Sequence, residues 1–265
     1  MIRDITIGQY YPAQSQVHRL DPRVKIVCTL AFLVSLFLQN SILGYVVAFA
    51  FLAMVIRLSK VPVKFIVRGP IVILLLFTVL MNLFLTRSGN ILFHYGILTI
   101  TEGGLRTCVF MTVRLIFLVM GSSIMTFTTT PNSLTDGIER LLSPFKAIGL
   151  PAHEIAMMMT IALRFIPTLL EETDKIMKAQ QARGADFESG RLLQRVKSLI
   201  PILVPLFVSA FRIANDLAMA MEARCYRGGK HRTRMHEMKF AGRDYAAFAL
   251  QVLFLAVIIV CNRFF

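Results

Sequence analysis

Apolar residues in this chain are grouped into runs too long for the core of a water-soluble domain. A hydrocarbon layer about 30 Å thick needs about 20 mostly apolar helical residues, and fewer where polar ends reach the surface. Five runs meet that requirement: residues 24–38, 42–56, 65–85 with Pro70 in its first turns, 105–128 and 245–261. Two further runs, 155–170 and 199–221, are interrupted, the first by Arg164 and Pro167, the second by Pro201, Pro205, Arg212 and Asp216. Residues 1–23 are too long and too polar for the leading region of a signal peptide, and no small-residue cleavage site follows the first run. That run is expected to stay in the membrane as an anchor.

Composition agrees with the pattern. Apolar residues make up 56% of the 265, charged residues only 17%, and the formal net charge is +14. A basic balance can serve nucleic acid, acidic proteins or the anionic face of a membrane, but no polar domain gathers the charge as RNA or DNA binding would require. No nucleic-acid partner is expected; the lipid bilayer is.

Lys and Arg counts in the connections set the orientation. Arg3, Arg19 and Arg23 precede the first run and Lys25 lies at its mouth, whereas the turn Gln39-Asn40-Ser41 has no basic residue. The next connection holds Arg57, Lys60, Lys64 and Arg68, and residues 86–104 hold only Arg87. The N-terminus is therefore expected inside. Residues 129–243 carry 17 basic and 11 acidic residues and are expected to be cytoplasmic, and the last run then leaves the C-terminus outside. If both interrupted runs crossed, Lys175, Lys178, Arg183, Arg191, Arg195 and Lys197 would all be external, against the charge rule. Seven crossings is the competing topology. The favoured one divides the chain into a four-span region, 1–128, a cytoplasmic region, 129–243, and a last span, 244–265.

Within the cytoplasmic region, Thr130-Pro131 reads as a helix cap with Pro in the first turn, and Asp136 suits the positive end of the dipole. Ser143-Pro144 ends that helix, and Gly149-Leu150-Pro151 ends a short second piece. A long helix follows over 152–182, with Ile155, Met158, Ala162, Phe165, Leu169 and Ile176 on one face and Glu171, Glu172, Asp174, Lys175 and Lys178 toward water. A second long helix begins near Arg191, Arg195 and Lys197 and runs to Arg224, with Arg212 and Asp216 spaced to neutralise each other.

The two helices end alike, in Gln181-Ala182-Arg183-Gly184 and Glu222-Ala223-Arg224-Cys225. Arg in the last turn projects a planar fork of donors, the preceding Ala leaves room for a partner, and Gly lets the chain turn away. A single copy would be an ordinary dipole-favoured cap. Two copies point to paired docking plugs.

Other candidate motifs fail. Gly228-Gly229-Lys230-His231 lacks the earlier Gly and the terminal Ser or Thr of a phosphate-binding loop, and the chain has no ATPase motif. His153-Glu154 and His236-Glu237 lack the second His of a zinc protease helix, so no metal site is expected. Cys28, Cys108, Cys225 and Cys261 contain no C-x-x-C pair. Arg114 is the one clear charge in the fourth span, and either pairs with carbonyls or a partner or snorkels to the surface.

Nearly the whole chain resembles the transmembrane T component of energy-coupling factor transporters. The resemblance rests on Gly8-Gln9-Tyr10, Pro12, Ser15 and His18-Arg19-Leu20-Asp21-Pro22-Arg23. It continues through Thr129-Thr130-Pro131, Gly149-Leu150-Pro151, Ala162-Leu163-Arg164-Phe165-Ile166-Pro167, Ala182-Arg183-Gly184 and Ala220-Met221-Glu222-Ala223-Arg224. One departure stands out: Cys225 occupies the place of the second triplet's Gly. The resemblance implies an all-α membrane protein of about five transmembrane helices with long cytoplasmic amphipathic coupling helices, in a prokaryotic plasma membrane. It also implies two separate ATPase subunits, which bind the ATP and Mg, and a membrane-embedded substrate-binding S component, so that this chain is a non-catalytic subunit in vitamin or micronutrient uptake. ATPase docking would fall to Ala182, Arg183, Gly184, Ala223, Arg224 and Cys225. Contact with the S component, or packing of the two helices on each other, would fall to Met157, Met158, Met159, Phe165, Leu203, Phe207 and Met219. A self-contained secondary transporter, working alone on an ion gradient, and a membrane enzyme with paired catalytic groups are the alternatives of other classes.

Overall fold

The computed structural model describes residues 10–39, 41–62, 77–79, 81, 91–95, 98–185, 187, 197–228 and 238–264. The described chain is helical apart from one hairpin. In order come α1 (Pro22–Leu38), α2 (Ile42–Ser59), β1 (Ile91–Tyr95), β2 (Leu98–Thr101), α3 (Glu102–Thr128), α4 (Pro131–Leu142), a 3₁₀ turn (Ser143–Ile148), α5 (Ala152–Ala182), α6 (Ile200–Ala223) and α7 (Gly242–Phe264). Four of the five expected spans correspond to α1, α2, α3 and α7. The third, 65–85, lies almost wholly outside the described residues, as do Arg191 and Arg195 at the expected start of the second long helix. The antiparallel pairing of β1 with β2 falls in a segment read from the sequence only as a connection.

Five described helices are long and apolar enough to cross a membrane: α2, α3, α5, α6 and α7. α5 and α6 join that set by length and composition alone, although the charge rule assigns them to the cytoplasm. Only 6% of the apolar window of each is buried within the chain, against 28% for α2 and α7. Among the described residues, little within their own unit covers α5 and α6.

The chain divides into two compact units. The first comprises Gly8–Gly137 with Met238–Phe265. Its core joins α1, α2, α3 and α7 through Phe32, Leu36, Leu52, Phe117, Ile124 and Phe254, among others. Phe51 and Phe254 stack with ring centres 4.3 Å apart, and Phe32 lies 5.7 Å from Phe254. Gly121 of α3 lets this cluster close, because a Cβ there would stand 2.6 Å from the Phe32 ring.

Several helix ends in this unit are held by charged side chains. Asp21 caps α1, accepting from the Arg23 amide at 2.9 Å, with Pro22 in the first turn. The amide of Asp21 itself donates to Asp244 Oδ1 at 2.8 Å, and Asp244 Oδ2 accepts from Ala241 N at 2.8 Å. One buried carboxylate thus joins the starts of α1 and α7. Lys25 is 7% exposed, and its Nζ donates to the carbonyls of Thr128, at 2.9 Å, and His18, at 3.1 Å. A cation at the C-terminal carbonyls of α3 also matches the helix dipole. Lys25 thus locks three segments together as well as counting toward orientation.

Arg114 pairs with a carbonyl, as one sequence reading allowed. Its Nη2 donates to Gln39 O at 2.8 Å, just past α1, and its Nε to Tyr45 Oη at 3.1 Å. The segment before α1 is held by His18, which receives the Ser15 hydroxyl on Nδ1 at 2.7 Å and donates from Nε2 to Tyr11 O at 2.9 Å. These partners suit the neutral imidazole. Burial pushes the His18 pKa below its ordinary 6.5, and the nearby Lys25 charge pushes the same way against the Tyr11 carbonyl.

Among the described residues, the second unit lies between Ile138 and Gly228; its boundary falls within α4. Thr130 caps α4 as its spacing predicts, accepting from Ser133 N at 3.3 Å, and the 3₁₀ turn follows Leu142. Gly149 takes a φ of 90°, which closes that turn before Pro151. His153 pairs with Glu139 at 3.1 Å, which gives this residue a structural partner. α5 and α6 pack on each other, and both continue through an internal proline, Pro167 and Pro205.

Asp244→Ala leaves the buried Asp21 amide without an acceptor and removes a tie between two helices. The expected loss is about 3 kcal/mol, the scale of a buried charge-assisted bond with an orphaned donor, and Asp244→Asn loses less because one oxygen remains. Thermal melting of the detergent-solubilised chain reads this difference.

Because His18 is held neutral, its contribution to stability is complete above the ordinary value and is lost as pH falls through the lower folded value. Melting temperature is expected to drop on acidification from about pH 7.5 to about pH 5, and His18→Gln to flatten that part of the profile. An unchanged slope in the variant would reject the assignment.

Candidate coupling site

The two arginine ends are built by the same backbone device. At the end of α5, Gly184 N donates to Gln181 O at 2.9 Å and Ala185 N to Gln180 O at 3.0 Å. At the end of α6, Cys225 N donates to Glu222 O at 2.8 Å and Tyr226 N to Met221 O at 3.0 Å. Both are Schellman closures, in which one residue turns left-handed and satisfies the last carbonyls. Gly184 has φ 88° and Cys225 has φ 56°. Cys225 therefore adopts the turn that its position requires, although Cys carries a Cβ that disfavours it.

Arg183 and Arg224 sit at the same step of their closures, immediately before the left-handed residue. Their φ and ψ angles are −86° and 5°, and −90° and 14°. Both side chains are exposed, as are Ala182, Gly184, Ala223 and Cys225. Neither arginine makes an ion pair among the described residues. Each guanidinium retains its donors for a partner.

The two ends are far apart. Gln180 Nε2 donates to Pro201 O at 3.3 Å, so the end of α5 lies beside the start of α6. Arg224 stands 23 residues after Pro201, about 35 Å along the helix at 1.5 Å per residue.

The apolar candidates divide by exposure. Met158, Leu203, Phe207 and Met219 are 61%, 46%, 61% and 65% exposed, so packing of α5 on α6 leaves much of each uncovered. Met159 is at the margin of exposure, while Met157 and Phe165 are half-buried. α6 also exposes Ile200, Val204, Val208 and Phe211, which extend the Leu203 and Phe207 stripe at helical spacing. Sequence reading passed over these four, although their three-and-four spacing was the signal that identifies them. Of the polar residues, Lys175 approaches Glu172 at 3.7 Å, whereas Arg212 and Asp216 are both exposed and close no ion pair. Water competes with a pair so placed.

A family model described as "Cobalt transport protein" matches residues 13–235. A relative from Clostridium kluyveri, "Energy-coupling factor transporter transmembrane protein EcfT", is 56% identical over 99% of this chain and 98% of its own length. The chain belongs to the energy-coupling factor transmembrane family. Relatives of the same name from Thermosediminibacter oceani and Bacillus subtilis are 55% and 45% identical, over 99% and 97% of this chain and 99% and 98% of their own lengths. The protein is thus a transmembrane component of an energy-coupling factor transporter, embedded in a membrane and working with other subunits. This membership accounts for the likeness of His18-Arg19-Leu20-Asp21-Pro22-Arg23 to the family's N-terminal segment. In this structure that stretch caps α1 and carries the bonds to α7.

Cys225→Gly removes the Cβ from a left-handed position and is expected to stabilise the chain by about 1 kcal/mol. Gly184→Ala is expected to destabilise it by a similar amount. Melting curves of the two variants under identical detergent conditions should shift in opposite directions.

Proposed function

We propose that the chain is the coupling subunit of its transporter, transmitting the closure of two ATPase subunits to a substrate-binding S component in the membrane. The observation that carries this reading is the pair of matching helix ends, each presenting an uncommitted arginine, about 35 Å apart along α6. Ends so separated suit two sockets better than one. Arg183 enters one ATPase and Arg224 the other, with Ala182, Gly184, Ala223 and Cys225 shaping the approach. ATP and Mg bind in those partners, and the chain itself performs no hydrolysis.

The exposed apolar stripe supports the second half of the mechanism. Met158, Leu203, Phe207 and Met219 give the S component a soft surface, with Met157, Met159 and Phe165 at its margin. Unbranched thioether side chains adapt to partners of different shape, which suits a subunit serving several S components. In this arrangement α5 and α6 are cytoplasmic helices against the bilayer, the N-terminus is inside and the C-terminus outside. The vitamin or other micronutrient is chosen by the S component, so this chain sets no substrate specificity.

Arg183→Ala with Arg224→Ala is expected to weaken ATPase docking by roughly 2–5 kcal/mol per buried arginine, because the socket is left with unpaired groups. Co-purification with both ATPases measures it, and undiminished recovery of the complex would reject the docking role. Each single variant is expected to weaken one of the two ATPases more than the other.

A further inference from the structure

A cavity of about 400 Å³ opens among α1, α2, α3 and α7, within the first unit. Its floor is apolar, formed by buried Val24, Phe32, Leu52 and Ile124. Its mouth includes the exposed Gln16, Leu58 and Arg243. The cavity is thus charged at one end and apolar along its length.

Two polar groups are poorly explained by the protein alone. Gln251 lines the cavity and is 4% exposed, yet its Nε2 has no hydrogen-bond partner among the described residues. A buried amide left in this state costs about as much as a lost hydrogen bond. Arg243, eight residues earlier on α7 and so about 12 Å nearer the mouth, makes no ion pair among the described residues. The acids around it are engaged: Asp244 accepts from two backbone amides, and Asp21 caps α1 and pairs with Arg23 at 2.9 Å. Set against Arg23, Lys25 and Arg243, these two carboxylates leave the mouth with an excess positive charge.

We propose that this cavity binds an anionic phospholipid, with its phosphate at Arg243, an acyl chain against Phe32, Leu52 and Ile124, and the Gln251 amide turning from its buried position to meet an ester carbonyl. The lining offers few hydrogen-bonding partners to a peptide backbone, whereas an acyl chain needs none. The volume lies in the range of roughly 300–1,000 Å³ common to small-ligand sites. Charge selects the headgroup, since a zwitterionic lipid gains less from an unpaired arginine.

Native mass spectrometry of the delipidated full chain, offered phosphatidylglycerol and phosphatidylcholine of identical acyl chains, tests the proposal. Phosphatidylglycerol is expected to be retained about fivefold better, the weight of one basic side chain near an anionic headgroup, and Arg243→Gln to bring the ratio near one. Ala247→Phe, which fills the groove from α7, is expected to release both lipids; Met125→Trp fills it from α3 should the first variant misfold. Equal retention of the two lipids by the native chain, or phosphatidylglycerol retained by both groove-filling variants, overturns the assignment. Displacement by millimolar inorganic phosphate would show an anion site with no chain in the groove, and loss of a co-purifying membrane protein with lipid unchanged would show a protein partner instead. Either result also overturns it.

Discussion

The amide of Asp21 and the carbonyl of Thr128 are removed from water where α1, α3 and α7 meet, and each needs a partner of the right charge. Asp244 receives the first and Lys25 donates to the second. Where lipid surrounds the helices, attraction between apolar faces is weak, since lipid tails are as apolar as leucine. Position along the membrane normal and the pairing of helix ends must then come from groups that cannot be left unsatisfied. The aromatic stack of Phe32, Phe51 and Phe254 fills the space between helices that are already aligned at their ends.

The same requirement recurs at other helix ends with different solutions. Arg114 reaches across from α3 to the carbonyl just past α1, and Thr101 caps the start of α3 by accepting from Gly104 N at 3.1 Å. At α5 and α6 the backbone folds onto itself, using Gly184 and Cys225. Self-closure has a consequence for the side chains. Because the last carbonyls are already satisfied by main-chain amides, Arg183 and Arg224 are not needed as caps, and their guanidinium groups stay available. An arginine that capped its own helix would have fewer free donors.

Much of this was legible in local sequence. Thr130-Pro131, Ser143-Pro144, Gly149-Leu150-Pro151 and the limits of α5 follow from capping chemistry that acts within a few residues, and the structure shows each of them. Asp21-Pro22 was visible only as part of a family-like segment, although Asp before Pro is also a cap signal. Lys25 was read as a charge near the membrane surface, because its two acceptors lie 7 residues before it and 103 residues after it. No spacing rule links those positions. The candidate coupling residues stand out through repetition, two similar ends on two long helices, whereas the full apolar stripe of α6 emerged only once exposure separated its two faces.

The sequence by itself determined the helical class, the four helices described where spans were expected, the arginine ends and the absence of an ATPase motif, because apolar run length, capping and motif spacing are all local properties. Tertiary structure decided which polar groups meet: Asp244 with Asp21, Lys25 with Thr128, Arg114 with Gln39. It also decided that Cys225 turns left-handed like Gly184, that the end of α5 lies beside the start of α6, and that Gln251 is buried without a partner among the described residues. Those outcomes depend on which residues distant in the chain share a dry volume, and the cost of an unsatisfied group there is set by its neighbours and not by its place in the sequence.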